Sequence, residues 1–114
     1  MEITELDRQR TKEIAETIIN QLRGRRFLAS VDPRLTIVEP DYKEGIMGGV
    51  LIHIYHRKPK PIRRYFKVTL MFSDMYQVEA WNGKTKKTDK KKLKEVFFDQ
   101  LIPLFERWTG YFII

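Results

Sequence analysis

The chain contains no cysteine, so disulfide bonds, thiolate metal sites and cysteine nucleophiles are all excluded. Histidine is also scarce, because His53 and His56 are the only two. Three residues apart on a strand, they point to opposite faces and cannot chelate one metal ion. The sequence therefore predicts no metal site and no bound cofactor.

Long apolar runs are lacking too. The longest is Tyr111–Ile114, which is far shorter than the ~20 residues that a membrane-spanning helix needs. Met1–Glu5 has no feature of a signal peptide. We therefore expect a soluble, cytoplasmic protein that does not use a membrane as its partner.

Motifs that carry catalysis are incomplete. Gly45 and the Gly48-Gly49 pair are typical of turn glycines before a strand, and they lack the Lys-Ser/Thr ending of a phosphate-binding loop. Asp41 and Lys43 have the Asp-x-Lys spacing of half a metal-dependent nuclease site, but the second carboxylate expected upstream is missing. We predict a protein without enzymatic activity, and a metal-dependent nuclease is the alternative on this point.

Positive charge is plentiful. The 114 residues include 22 Lys and Arg against 15 Asp and Glu, a formal net charge of +7, and the sequence pI is near 9.7. A chain of this length suits one domain, residues 1–114. A polyanion is the first partner to consider for such a charge.

Hydrophobic periodicity divides the chain into two helices and four strands. It predicts helices over Thr4–Arg23, closed by Gly24, and over Asp89–Thr109, where Pro103 should bend or split the helix. The predicted strands are Arg34–Glu39, Gly49–Arg57, Arg63–Ser73 and Met75–Trp81. This order, α-β-β-β-β-α, predicts an α+β fold in which the N-terminal and C-terminal helices cover one face of a four-stranded antiparallel sheet.

The hydrophobic pattern also predicts a register for the central hairpin. A five-residue loop over Lys58–Ile62 places Ile54 opposite Phe66 on the core face and Tyr55 opposite Tyr65 on the outer face. Two adjacent tyrosines among cationic side chains on a bare sheet face are typical of surfaces that stack single-stranded bases. The alternative is a solvated face on which the tyrosine pair only stabilises the sheet.

The basic residues fall into three stretches, which follow the first helix, surround the hairpin loop and run into the second helix. Connections this short must reverse the chain, so strand direction alternates and all three stretches should meet at one end of the sheet. Glu39, Asp41, Glu44 and Asp74 should lie at the other end. The candidate phosphate contacts are Arg23, Arg25 and Arg26, then Arg57, Lys58, Lys60, Arg63 and Arg64, and finally Lys84, Lys86, Lys87, Lys90, Lys91, Lys92 and Lys94.

Lysines at the start of the predicted second helix break a local preference. Lys90, Lys91 and Lys92 would occupy its first turn, where the partial positive charge of the helix favours Asp and Glu. A phosphate bound there would turn this repulsion into attraction. The alternative is a solvated lysine-rich loop, as is common in proteins from hot environments.

The order of elements, with Lys86-Lys87 and Lys90–Lys92 before a helix, resembles the double-stranded-RNA-binding domain, whose second helix also begins with lysines that contact phosphates. The chain differs from that family in its fourth strand and in the Phe and Leu stripe of its last helix. In its lysine tract Lys84–Lys94 and its content of Ile and Tyr, the chain is also similar to small proteins of archaeal rod-shaped viruses, the rudivirus-like group. That likeness implies an intracellular viral protein in the host cytoplasm.

The apolar tail Tyr111–Ile114 should either fold onto the core or meet a second chain, and a symmetric dimer would follow in the second case. We predict a protein that binds DNA or RNA through its phosphates, with Tyr55 and Tyr65 as candidate base contacts. The alternative is a structural or host-interaction homodimer, joined through the tail or the outer sheet face, with no nucleic-acid ligand.

Overall fold

The structure is a computed structural model that describes residues 5–56, 62–83, 91–111 and 113. Two helices precede a sheet and a third helix follows it. The helices are α1 (Glu5–Gln21), α2 (Arg25–Val31) and α3 (Leu101–Thr109), with single 3₁₀ turns at Tyr42–Glu44 and Phe98–Gln100. The strands are β1 (Arg34–Val38), β2 (Ile46–His56), β3 (Ile62–Met71), β4 (Tyr76–Asn82) and β5 (Lys91–Val96).

The sheet has five strands in the order β1-β2-β3-β4-β5, and every neighbouring pair is antiparallel. The predicted α+β class, the antiparallel sheet and the helices at both ends of the chain are confirmed. The prediction of four strands is wrong, because the segment assigned to the start of the second helix forms β5.

A β-bulge explains why β5 has the sequence pattern of a helix. Leu93 is in register with Val78, and Val96 is in register with Tyr76, so the two β5 residues between them oppose a single residue of β4. The left-handed backbone of Glu95, with φ of 58°, accompanies this shift. Residues three apart on a regular strand point to opposite faces, but the bulge turns Leu93 and Val96 to the same face and so imitates helical spacing.

The last helix is shorter than predicted. It begins at Leu101, so Pro103 lies in its first turn, where a backbone N–H has no partner within the helix and proline is tolerated. The expected bend is therefore absent. Leu101, Leu104 and Phe105 are buried, whereas Phe97, which the pattern assigned to the same stripe, is exposed.

The first predicted helix corresponds to α1, and an additional helix follows it. After α1, the Gly24 N–H donates to the Ile19 carbonyl over 2.9 Å, and Gly24 has a φ of 52°, which agrees with its predicted role at the helix end. A second helix, α2, then buries Phe27 and Val31 before the chain enters β1. The sequence pattern did not predict α2.

The central hairpin has the predicted faces but a different register. Val50 pairs with Val68 and Ile52 with Phe66, two positions away from the predicted pairing. The described strands end at His56 and resume at Ile62, so the connection in sequence is 57–61 and not 58–62. A shift of two residues leaves each side chain on its own face.

Gly48 and Gly49 lie inside β2, so their interpretation as turn glycines is wrong. A register shift occurs between Ile46 and Gly48. A Cβ on Gly49 would stand 2.1 Å from the Val68 carbonyl oxygen, so only glycine permits this close approach of β2 and β3. Gly45, with φ of 73°, does close a turn.

All three helices cover the same face of the sheet. An aromatic cluster joins α2 and α3 to β3, because the Phe105 ring lies 5.2 Å from that of Phe27 and 5.1 Å from that of Phe66, both edge to face. Ile113 of the apolar tail is buried in this core. The strands contribute Val50, Ile52, Ile54, Phe66, Val68, Val78 and Ala80.

Candidate nucleic-acid interface

Strand directions separate charge between the two ends of the sheet. We call the end where β1, β3 and β5 begin the basic end and the opposite end the acidic end. Among the described residues, the cations at or next to the basic end are Arg34, Arg63, Arg64, Lys91 and Lys92. The carboxylates that follow strand ends at the acidic end are those of Glu39, Asp41, Glu44, Asp74 and Asp99.

A row of rings crosses the outer face, which is the face away from the helices. Register places Arg34, His53, Tyr65 and Trp81 side by side on β1 to β4. The His53 and Tyr65 ring centroids lie 4.5 Å apart with planes 5° apart, and those of Tyr65 and Trp81 lie 5.3 Å apart with planes 14° apart. We call these three stacked rings the aromatic row.

The aromatic row offers ring edges to solvent. The centroid separations match the ~4.8 Å spacing of neighbouring strands, so the rings stand upright on the sheet with their faces against one another. Both faces of Tyr65 are therefore covered by His53 and Trp81. A base cannot lie on Tyr65 unless the row separates.

Tyr55 lies apart from the aromatic row. The sequence predicted that Tyr55 pairs with Tyr65. Because the register is shifted by two residues, Tyr55 pairs with Arg63 instead. The Arg63 guanidinium carbon stands 5.3 Å from the Tyr55 ring centroid, which is a cation–π contact. The Tyr55 side chain is 43% exposed. Of the two tyrosines, Tyr55 is thus the one with a ring surface open to a ligand.

His53 contributes no positive charge at neutral pH. Burial lowers its pKa below 6.5, and the positive charges of Arg63 and Arg34 lower it further. Its Nε2 is buried and has no hydrogen-bond partner among the described residues. The charge around the aromatic row is therefore that of the two arginines on either side of His53.

The next row of the outer face is more enclosed than expected. Register places Glu79 between Lys67 and Lys92. Glu79 is only 8% exposed, and its Oε1 accepts a hydrogen bond from Gln77 Nε2 over 3.2 Å. Thr69 is buried on the same face. The outer face is therefore partly covered and not the bare surface that the sequence suggested.

The structure brings only some of the predicted residues together. Tyr55, Arg63 and Tyr65 share the outer face near the basic end. Lys92 is on the same face but level with Lys67, in the middle of β3. Arg64 follows Arg63 on β3 and therefore points to the opposite, helical side of the sheet. Burial raises the pKa of Tyr111 there, and the positive charge of Arg64 partly offsets this rise. Lys91 alternates with Lys92 in the same way, and Lys94 is exposed on β5.

The arginines after the first helix lie in the helical layer. Arg23 is in the turn between α1 and α2, and its Nη1 donates to the Ile113 carbonyl over 3.2 Å. Arg25 and Arg26 begin α2 and are exposed. The helical residues up to Val31 therefore lie between these arginines and the start of β1, a helix that the sequence interpretation did not include.

Three of the seven lysines in the predicted cluster, Lys91, Lys92 and Lys94, are among the described residues. Lys91 and Lys92 belong to a strand, so the predicted helix N-terminus is wrong for them, and the phosphate contact implied by the double-stranded-RNA-binding resemblance does not apply. Seven predicted residues lie outside the described residues, namely Arg57, Lys58, Lys60, Lys84, Lys86, Lys87 and Lys90.

Sequence reasoning missed Arg34 as a site residue. The signal was the alternation of Arg34 and Thr36 with Leu35 and Ile37, which places the two polar residues on one face of β1. Alternation along the strands likewise puts His53, Lys67 and Trp81 on the face of Tyr55 and Tyr65, but it gives them no role. Their stacking with Tyr65 depends on the register, which the hydrophobic pattern left open by two residues.

Nothing in the described residues forms a metal centre. They contain no group of three or more His, Asp or Glu side chains that could hold an ion. Asp41 and Lys43, the candidate nuclease residues, lie at the acidic end, where the Asp41 backbone bridges to Ile46. Within the described ranges, no helix is long and apolar enough to cross a membrane. Comparison with known protein families, curated proteins and solved structures gave no match.

Proposed function

We propose that this protein is a non-enzymatic nucleic-acid-binding protein of the cytoplasm, which contacts phosphates with its basic end and the adjoining outer face. The observation that carries the proposal is the placement of Arg34, Arg63 and Lys92 on the outer face, with the two arginines near the basic end and Lys92 level with Lys67 in the middle of β3. They lie on alternate strands, which are about 10 Å apart across the sheet. Register also staggers them along the strands, by two residues from Arg63 to Arg34 and by two more to Lys92.

The geometry favours recognition of phosphate over recognition of bases. Tyr65 has no free ring face, because His53 and Trp81 cover both of its sides. Tyr55 is the candidate base contact, with Arg63 beside it. We therefore expect binding that varies little with base sequence and weakens steeply with salt.

Binding can be measured by fluorescence anisotropy with single-stranded and double-stranded DNA and RNA. Three phosphate contacts on duplex DNA predict an affinity about 40-fold lower at ~200 mM than at ~50 mM salt. If no oligonucleotide binds at ~50 mM salt, the proposal fails and the structural or host-interaction homodimer becomes the better hypothesis. Cleavage of duplex in the presence of Mg²⁺ would contradict the non-enzymatic assignment.

Charge-matched variants separate a local site from general attraction. Arg63→Gln with Lys92→Gln removes two positive charges from the basic end. Lys12→Gln with Lys43→Gln removes two exposed positive charges from α1 and the acidic end. The first pair should reduce the salt slope on duplex DNA by about 2, and the second pair should leave it almost unchanged. Equal losses would show that only net charge matters and would overturn the proposed site.

A further inference from the structure

The two edge strands of the sheet differ in how well they resist pairing with another chain. β5 carries Lys91, Lys92 and Lys94, and its ladder is interrupted by the bulge at Glu95. Lysines and bulges are the devices by which natural sheets block edge pairing. β1 has neither device, since Arg34 is its only charged residue and its register with β2 is continuous.

β1 also exposes apolar side chains. Leu35 and Ile37 are 43% and 44% exposed, although register places them beside the buried Ile52 and Val50 on the helical side of the sheet. None of the described strands pairs with the outer edge of β1. The apolar row of the core therefore continues to an edge that carries free backbone donors and acceptors.

We propose that a second copy of this chain pairs antiparallel with β1 about a two-fold axis at Thr36, so that two sheets join into one of ten strands. Each Leu35 then lies opposite the partner's Ile37, and each Thr36 lies opposite the partner's Thr36. The same contact occurs twice, as in any two-fold interface. Backbone hydrogen bonds between edge strands supply the rest of the contact.

The apolar pattern selects this register. A two-fold axis that joins antiparallel edges stands perpendicular to the sheet, so it pairs residues of the same face. An axis at Ile37 would place Leu35 opposite the partner's Glu39, and an axis at Leu35 would place Ile37 opposite the partner's Pro33. Only the axis at Thr36 places each exposed apolar side chain opposite another one.

Charge complementarity favours a copy of the same chain. β1 begins at Arg34 and runs into Glu39. Antiparallel pairing places each Arg34 opposite the partner's uncharged Val38 and keeps the two arginines about 14 Å apart along the strands. Parallel pairing would place them side by side. The edge is thus complementary to itself in one orientation.

Sedimentation velocity at increasing protein concentration, without nucleic acid, tests the interface. The wild-type chain should shift from monomer to dimer. Thr36→Lys and Thr36→Glu each place like charges opposite one another, so each dimer should weaken about fivefold or more. An equimolar mixture of the two variants pairs opposite charges and should recover the wild-type dimer. This recovery occurs only when the two positions face each other.

Leu93→Lys is the matched control, because it adds the same charge to an exposed apolar position on the other edge strand. It should leave the dimer unchanged. A wild-type chain that stays monomeric, a mixture that fails to recover the dimer, or a dimer lost in Leu93→Lys would each overturn the proposal. Circular dichroism of each variant checks that it is folded. Dimerisation through β1 is independent of nucleic-acid binding, because the sedimentation samples contain no nucleic acid.

Discussion

At the residue scale, His53 links the packing of the outer face to its charge. Its ring stacks on Tyr65 at 4.5 Å, and its Nε2 is buried without a partner. Protonation would place a third positive charge beside Arg63 and Arg34 and would leave a buried charged N–H unsolvated. The neutral ring is therefore the form that the folded protein favours, which is why its pKa is lowered by burial and then by the two arginines.

This lowered pKa predicts a pH dependence of stability. Between the folded pKa of His53 and the unfolded value of 6.5, the unfolded chain binds more protons. The contribution of His53 to the free energy of unfolding is thus complete above about pH 6.5 and is lost as the pH falls through the folded pKa. Urea unfolding across this range should show the loss, and His53→Phe, which keeps a ring in the aromatic row, should reduce it.

Arg63→Gln should also raise the pKa of His53, because it removes one of the two neighbouring positive charges. NMR titration of the ring measures this directly. A wild-type midpoint at or above 6.5, or an unchanged pH dependence in His53→Phe, would contradict the assignment.

Two glycines at this scale could not have been interpreted from the sequence. Gly49 permits the contact of β2 with the Val68 carbonyl, and a Cβ on Gly83 would stand 2.9 Å from the Arg63 Cβ. Both positions depend on the approach of a second strand. A glycine in a sequence indicates freedom of the backbone, but it does not indicate which neighbour requires the space.

At the scale of elements, alternation predicted β1 to β4 and their faces, because β-branched and aromatic residues recur every second position. The register between neighbouring strands was predicted less accurately, because a shift of two residues leaves every side chain on the same face of the sheet. α2 was missed because seven residues with two buried side chains, Phe27 and Val31, carry almost no periodicity. β5 was misassigned because its bulge gives Leu93 and Val96 helical spacing.

The start of α3 at Leu101 gives a measurable consequence for Pro103. In a helix over 89–109, Pro103→Ala would remove an interior proline and stabilise the protein by about 3 kcal/mol. In the first turn of α3, proline displaces no hydrogen bond and restricts the unfolded chain. Pro103→Ala should therefore destabilise the protein slightly, by less than about 1 kcal/mol.

Urea denaturation of Pro103→Ala measures this difference, with Phe105→Pro as the comparison. Position 105 lies beyond the first turn, so proline there removes a hydrogen bond and the buried Phe105 ring, and the loss should exceed about 3 kcal/mol. A gain of several kcal/mol in Pro103→Ala would contradict the helix boundary described here.

At the scale of the whole molecule, the separation of charge follows from topology. Five antiparallel strands in sequential order turn alternately at two ends, so residues far apart in sequence, such as Arg34 and Lys92, begin strands at the same end. The end of the sheet at which a strand begins follows from strand direction alone, so it could be predicted without knowing the register. The arginines at 23, 25 and 26 were placed less well, because α2 occupies the chain between them and β1.

A polarised molecule should bind polyphosphate at one end only. In an NMR titration with inorganic tripolyphosphate, backbone amides near Arg34, Arg63 and Lys92 should shift, because the anion is drawn to the described cations of the basic end. Amides of Tyr42–Glu44 at the acidic end should remain unchanged, since carboxylates repel the anion there. The shifts should decrease between about 50 and 200 mM salt, as screening of exposed charges requires. Equal shifts around Arg8 and Arg10 of α1 would show that the anion follows any exposed cation and that the basic end holds no preferred site.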